Sequence, residues 1–353
     1  MPAILHQVHR LHTAGDVLCA VDCVRALPEY RHAFFVHDDD RSDTAMATTL
    51  ADLHTPVNYG ATIQPCHLTS DLVALIYHCI GYDEQWPGQY VSFWQEPPGV
   101  TGCAWIHTPG RCGWIDERYT FLNHRGVSRL AFNSTFTRDN TPGLDLSRFR
   151  DTAIIHPTID VGRYAPITRT DGVFRIGRWN RADDRKYSDD FLDLMASIDI
   201  PGVTFECMGI PPKFRGRPAP ANVRWIENHA MPVEELLSRI TVLLFKTDAA
   251  VWHEGWCRTV TEAMAAGVVP VVENRGGITD QVRHGYNGFL CDDNRDFKRF
   301  CELLYRDHDL RAAMSANARA YARRRLTLGR LRADLSRLLG LPPAGLPRVA
   351  RQA

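Results

Sequence analysis

Two glutamates eight positions apart, Glu254 and Glu262, open the stretch of this chain best suited to chemistry, EGWCRTVTEAMAAGVVPVVENRGGITDQVRHGYNG from Glu254 to Gly288. Thr259–Ala266 has the Ala, Met and Glu content of a helix. Gly267 stands where a left-handed residue would end that helix, and Val268–Val272 is an apolar run of strand length. Asn274–Gly277 then reads as a flexible Gly-rich loop leading into another helix. No Ser, Thr, Asp or Asn immediately precedes the helix, which begins near Cys257 or Arg258. Its first amides, from Cys257 through Arg258 to Thr259, therefore lack a capping oxygen. Such amides attract anions, and Gly255 lets a ligand come close. Carboxylates accept hydrogen bonds from sugar hydroxyls. Phosphates on the amides, one Glu on a ribose and the other on a second sugar describe a nucleotide diphosphate sugar.

The same stretch resembles the donor-site signature of the retaining GT-B glycosyltransferases of the group 1, or family 4, type. It supplies, in that order, Glu254, Glu262-Ala263, Ala265, Gly267, Pro270-Val271-Val272, Gly276-Gly277 and Gly285-Tyr286-Asn287-Gly288-Phe289-Leu290. Other parts are similar with less detail. Leu5–Leu27 resembles the family's first strand, Gly loop and first helix, with Ala14-Gly15 where Gly-Gly is usual. Phe132–Asp139 resembles its Asn-Ser-x-x-Thr segment, His156–Pro166 the stretch before its linker, and Ile176–Lys186 its Gly-Arg … Lys strand end.

The resemblance implies roles. Arg178 and Lys186 would neutralise the donor diphosphate, with Arg181 or Arg185 as alternatives in the same loop. His107, at the end of the strand CAWIH, would face the donor near the reacting carbon, and Glu254 would hold the transferred sugar. Gly15, Glu262, Cys257, Arg258, Thr259, Gly276 and Gly277 would line the donor site. Cys257 stands where Gly is usual; at a helix start its thiol pKa is expected to be lowered, and it reads as a variant wall of the site rather than a nucleophile. Retention would follow from the family, the leaving phosphate taking the acceptor's proton. Electrostatic stabilisation of that phosphate would be the main catalytic term. No cofactor is implied beyond the donor, and no metal.

Short apolar runs alternating with amphipathic stretches must position these groups. Expected strands are Ile4–Val8, Ala33–Val36, Leu72–Tyr77, Tyr90–Trp94, Cys103–His107, Leu130–Asn133 and Ala153–His156, then Phe174–Gly177, Val203–Met208, Val223–Ile226, Val242–Phe245 and Val268–Val272. Val17–Leu27, Ser188–Ala196, Val233–Ile240, Thr259–Ala266 and Phe297–Tyr305 read as helices. Strands without strict polar alternation suit parallel sheets covered on both faces. The pattern repeats, so the fold class is α/β, two doubly wound Rossmann-like domains, which the resemblance places facing each other across a cleft. The expected division is 1–163 on the acceptor side and 172–339 on the donor side, with a hinge at Tyr164–Gly172 and C-terminal helices that return to the first domain. Residues 340–353, rich in Pro and Gly, read as a flexible tail.

Composition narrows the classes. The 353 residues are 44% hydrophobic and 23% charged, which excludes a largely disordered chain and a small disulfide scaffold. No apolar run approaches the ~20 residues of a membrane span. Ten cysteines without a Cys-x-x-Cys pair read as reduced core thiols, pointing to a cytoplasmic protein. Residues 1–165 hold twelve Arg, no Lys and eighteen Asp or Glu, a net of −6, against +6 in the remainder. An acidic first half disfavours nucleic acid and anionic lipid and leaves a neutral or cationic acceptor; the basic half suits a phosphorylated ligand. Two alternatives share the architecture. A nucleotide-sugar 2-epimerase-like isomerase would interconvert free donor without acceptor, and a non-catalytic nucleotide-sugar-binding protein would bind but not hydrolyse it. A dehydrogenase is disfavoured, because Ala14-Gly15 cannot be extended to Gly-x-Gly-x-x-Gly.

Overall fold

The computed structural model describes residues 1–13, 15–60, 63, 67–78, 98–107, 122, 127–164, 167 and 172–342. The expected strand Tyr90–Trp94 and the tail from residue 343 lie outside them. The chain divides into two compact units, Met1–Thr158 with Leu328–Ala353, and Ile159–Thr327.

Unit 1 is built on a seven-stranded parallel sheet: β1 (Ala3–Arg10), β2 (Arg31–Asp38), β3 (Val57–Tyr59), β4 (Leu72–Tyr77), β5 (Thr101–Ile106), β6 (Arg129–Phe132) and β7 (Asp151–Ile154), in the order β3-β2-β1-β4-β5-β6-β7. Helices α1 (Gly15–Ala26), α2 (Thr44–Asp52) and α3 (Thr135–Asp139) interleave with the strands. Val8, Val17, Val21 and Phe34 pack on one side. On another, Cys19, Cys23, Leu27 and Trp105 meet Leu331, Leu335 and Leu338 from the C-terminal helix Leu328–Leu339.

Unit 2 opens with a short helix α4 (Val161–Tyr164) and carries a six-stranded parallel sheet. Its strands are β8 (Arg175–Trp179), β9 (Thr204–Met208), β10 (Val223–Ile226), β11 (Val242–Phe245), β12 (Val269–Glu273) and β13 (Phe289–Cys291), ordered β10-β9-β8-β11-β12-β13. Helices α5 (Phe191–Ser197), α6 (Val233–Arg239), α7 (Arg258–Ala265), α8 (Asn294–Arg306) and α9 (His308–Arg325) surround it, and α10 (Leu328–Leu339) then joins unit 1. Each sheet reverses its order once, at β1/β4 and at β8/β11. Open α/β sheets bind ligands beyond the C-terminal strand ends at such a reversal.

The first division, Thr158/Ile159, falls ahead of the linker expected from the sequence, and the second falls at Thr327/Leu328. The reason is packing. Ile159 N donates to Leu326 O at 3.2 Å, and Tyr164 OH reaches Glu262 at 3.3 Å, so α4 is held by unit 2. Arg332 ties α10 to unit 1 with donors 2.6 and 3.0 Å from Glu29. Of the elements the sequence reading missed, β3 and β13 are three-residue strands and α2 is weakly amphipathic. The helix expected after Gly277 is a five-residue 3₁₀ turn, Gly276–Asp280. Among the described residues, no helix is long and apolar enough to cross a membrane.

Candidate functional site

Residues from the loops after β8, β11 and β12 converge at the β8/β11 reversal. Lys186, in the loop after β8, pairs through Nζ with Glu254, in the loop after β11, both side chains nearly buried. The ammonium also lies 4.4 Å from the ring centroid of Trp252, a cation–π contact. Gly277 N donates to Glu254 O at 2.7 Å. That approach explains Gly276: its φ is +65°, and a Cβ there would lie 2.6 Å from Glu254 O.

Helix α7 begins as the sequence implies. Cys257 is its N-cap, with no side-chain capping bond, and Gly267, just past its C-cap, has φ +70°. The sequence reading missed Gln281, which has no charge and, though inside the Glu254–Gly288 stretch, stands at none of its matched positions. It is fully buried and clamps the helix start: its amide oxygen accepts from Cys257 N at 3.2 Å, while its nitrogen donates to Cys257 O at 2.9 Å and Thr261 Oγ1 at 2.8 Å. Thr259 Oγ1 donates to Trp179 O at 3.1 Å, fastening α7 to the end of β8.

Glu262 is buried with three donors around it: Trp179 Nε1 at 3.0 Å, Tyr164 OH at 3.3 Å and Arg258 Nε at 3.4 Å. Burial raises its pKa, an effect the nearby Arg258 opposes. Trp179 and Tyr164 were not singled out in the sequence. Trp179 follows the Gly-Arg pair directly, the one signal that could have found it.

Two sequence expectations are corrected. Arg178 is fully buried and cannot meet a diphosphate. Its guanidinium donates to Lys246 O at 2.6 Å and to Lys186 O, and lies 4.0 Å from the Tyr187 ring centroid and 4.5 Å from that of Phe245. With the Asn180 amide turned to suit its neighbours, its oxygen accepts from Arg178 Nε and Nη2, both at 2.9 Å. Arg178 thus holds the backbone that presents Lys186. Tyr187 offers its ring face to the Arg178 guanidinium and donates to Gly209 O at 3.1 Å. Of the alternatives, Arg185 pairs with Asp183 at 2.8 Å and covers Trp252, while Arg181 is exposed. The second correction is Cys257. Burial, with Glu254 adding to it, raises its thiol pKa well above the ordinary value, so desolvation outweighs the helix amides.

In unit 1, His107 follows β5, and its backbone oxygen accepts from Asn133 Nδ2 at 2.7 Å. The Asn-Ser-x-x-Thr segment so acquires a physical role: Asn133 holds His107, while Ser134 caps α3 by accepting from Thr137 N at 3.0 Å. Burial lowers the His107 imidazole to about 4. Gly15 is the exposed first residue of α1 with open space around it. His6, Cys23 and His78 form a buried group whose candidate ligand atoms lie within 4.8 Å of one another.

The family model described as glycosyl transferases group 1 matches residues 214–321. No curated protein sequence matches the chain. Among solved structures, Anabaena Alr3699/HepE in complex with UDP and glucose superposes with a TM-score of 0.77 at 17% identity, covering 96% of this chain and 100% of that one. A glycosyltransferase from Rickettsia africae gives 0.74 at 11% identity, with 96% and 97% covered. A variant of S. aureus TarM in complex with Fondaparinux, alpha-GlcNAc-glycerol and UDP gives 0.72 at 10% identity, with 96% and 100% covered. The fold is therefore GT-B, with two Rossmann-like domains.

Proposed function

We propose that this chain is a glycosyltransferase that moves a sugar from a nucleotide diphosphate sugar to an acceptor hydroxyl, with retention at the transferred carbon and without a metal. The observation that carries the reading is the placement of the Lys186–Glu254 pair, beside the uncapped start of α7, at the sheet reversal of unit 2. Lys186 and the amides of Arg258 and Thr259 would meet the diphosphate and stabilise the charge that grows on it as the glycosidic bond breaks, the Cys257 amide being held by Gln281. Glu254 would then exchange part of its contact with Lys186 for a hydroxyl of the transferred sugar. Glu262, already fixed by Trp179 and Tyr164, would accept from the ribose. The family match over residues 214–321 and the UDP bound to HepE support a nucleotide-sugar donor.

Absence of a metal requirement draws support from the acidic residues near Lys186. Asp183 is engaged by Arg185, Asp184 accepts from Lys213 N at 2.8 Å, Asp189 pairs with Lys213 at 2.6 Å, and Asp190 with Lys246 at 2.7 Å. Activity should survive EDTA. Loss restored by magnesium or manganese would overturn this part and make one of those carboxylates a ligand candidate. The acidic balance of residues 1–165 supports a neutral or cationic acceptor over an anionic one.

The experiment is a thermal-shift panel of nucleotide sugars, followed by NMR of the anomeric proton in the product formed with the stabilising donor. A bound donor raises the melting temperature by mass action. Stabilisation by no nucleotide sugar, or interconversion of the donor without acceptor, would reject the reading.

A further inference from the structure

Four histidines form a continuous row across unit 1, one for each of four neighbouring strands. His32 lies on β2, His6 on β1, His78 immediately after β4 and His107 immediately after β5. His32 Nε2 lies 2.9 Å from Leu27 O, and His32 Nδ1 lies 2.9 Å from His6 Nε2. His6 Nδ1 is 3.1 Å from His78 Nε2, and His78 Nδ1 is 3.3 Å from His107 Nε2. Phe34 packs on His6, and Trp105 lies against both His78 and His107. His6, His32 and His78 are buried, and His107 is half-buried.

A carbonyl only accepts, so the Leu27 end fixes the proton on His32 Nε2. A neutral imidazole carries one proton, which leaves His32 Nδ1 as an acceptor and requires the proton on His6 Nε2. The same step repeats through His6 to His78, and from His78 to His107. We propose that His32, His6 and His78 are positioning residues that hold His107 as its Nε2–H tautomer, so that its Nδ1 lone pair is the atom offered to a ligand. His107 then meets a sugar hydroxyl as a hydrogen-bond acceptor and not as a donor; this last clause rests on the donor-site role given to His107 above. The row is a polarity lock and no exit for protons, since the Leu27 carbonyl at its far end takes none. Burial keeps His6 and His78 well below the ordinary imidazole range, which preserves the one-proton count at neutral pH.

A divalent metal on His6 Nδ1, Cys23 Sγ and His78 Nε2 is the competing arrangement. It would take the lone pairs of both rings, move the His78 proton to Nδ1 and turn His107 into an Nδ1–H donor. Two ring nitrogens on one tetrahedral ion would lie about 3.3 Å apart, so the 3.1 Å contact between His6 and His78 fits either arrangement, and the metal content separates them.

The test is a long-range ¹H–¹⁵N spectrum of the full chain labelled at histidine, as purified, with its zinc content measured. The expected result is the Nε2–H tautomer at His6, His32, His78 and His107 and no stoichiometric metal. His32→Gln keeps the polarity, its amide oxygen accepting from His6 and its nitrogen donating to Leu27 O, so His107 keeps its tautomer. His32→Leu removes the anchor, and His107 should show both tautomers. With a nucleotide-sugar donor, kcat/KM should fall about tenfold in His32→Leu, the scale of one lost neutral hydrogen bond, and stay within about twofold in His32→Gln. If His32→Leu does not fold, the wild-type and His32→Gln spectra still decide. An Nδ1–H signal at His107, or one bound metal per chain, overturns the proposal. Correct tautomers in a protein that no nucleotide sugar stabilises would leave the row standing and remove only the donor reading.

Discussion

At the scale of residues, the donor side depends on charges held out of water. Lys186 is the cation facing Glu254 at their nearly buried contact. Lys186→Met would leave that carboxylate without its counter-charge, a loss of about 3–5 kcal/mol by the usual cost of breaking a buried pair. Urea denaturation should show it, together with loss of donor-induced thermal stabilisation. A change under about 1 kcal/mol would mean that water already screens Glu254. Glu262→Ala acts differently. It strands Trp179 Nε1 and Tyr164 OH, costing about 1–3 kcal/mol of stability, and it removes a contact to a ribose that changes little during reaction. Donor KM should therefore rise more than kcat falls. Steady-state kinetics in which kcat collapses at unchanged KM would place Glu262 at the reacting carbon instead.

At the scale of elements, the loop after β12 is set by a close approach and not by a side chain. Gly276 carries a positive φ and lies against the Glu254 carbonyl. Gly276→Ala combines backbone strain with a clash against main chain, which cannot swing aside as a side chain could. The expected loss is at least about 1 kcal/mol of stability, with donor affinity reduced because Glu254 and the Gly277 hydrogen bond must shift. Equal melting temperatures for the variant and the parent, with and without nucleoside diphosphate, would show that the loop relaxes freely. The start of α7 follows the same logic: its clamp, Gln281, comes from the following turn, so loop and helix hold each other.

At the scale of the molecule, the histidine row makes unit 1 acid-sensitive. His6, His32 and His78 have imidazole pKa values lowered chiefly by burial, from an ordinary 6.5. Above that value neither folded nor unfolded chain binds protons there. Below it the unfolded chain takes them up and the folded chain does not, so stability is lost as the pH falls. The slope is about 1.4 kcal/mol per pH unit for each imidazole. Unfolding free energies from urea titrations should be smaller at pH 5 than at pH 7.5, by at most about 2 kcal/mol for each ring. Replacing His32 by Gln should lessen the slope by one ring's share. A midpoint that does not move between these pH values would contradict a neutral row.

The sequence alone determined the two α/β units, the helix–Gly267–strand core of the donor segment and the uncapped start of α7. These are consequences of local composition: apolar runs of strand length, good helix formers, and a Gly where the backbone turns left-handed. It could not determine what each polar side chain meets. Arg178 looks the same on the page whether it faces a phosphate or, as here, three aromatic rings and two carbonyls. Cys257 carries a helix-start signature that predicts an acidic thiol, and its burial reverses the sign. Gln281 and the row His32–His6–His78–His107 have no local pattern: Gln281 meets the start of α7 from the turn after β12, and the histidines are brought together by strand order and register across a sheet. Hydrogen-bond direction and desolvation are properties of neighbours distant in sequence, and only the tertiary structure supplies those neighbours.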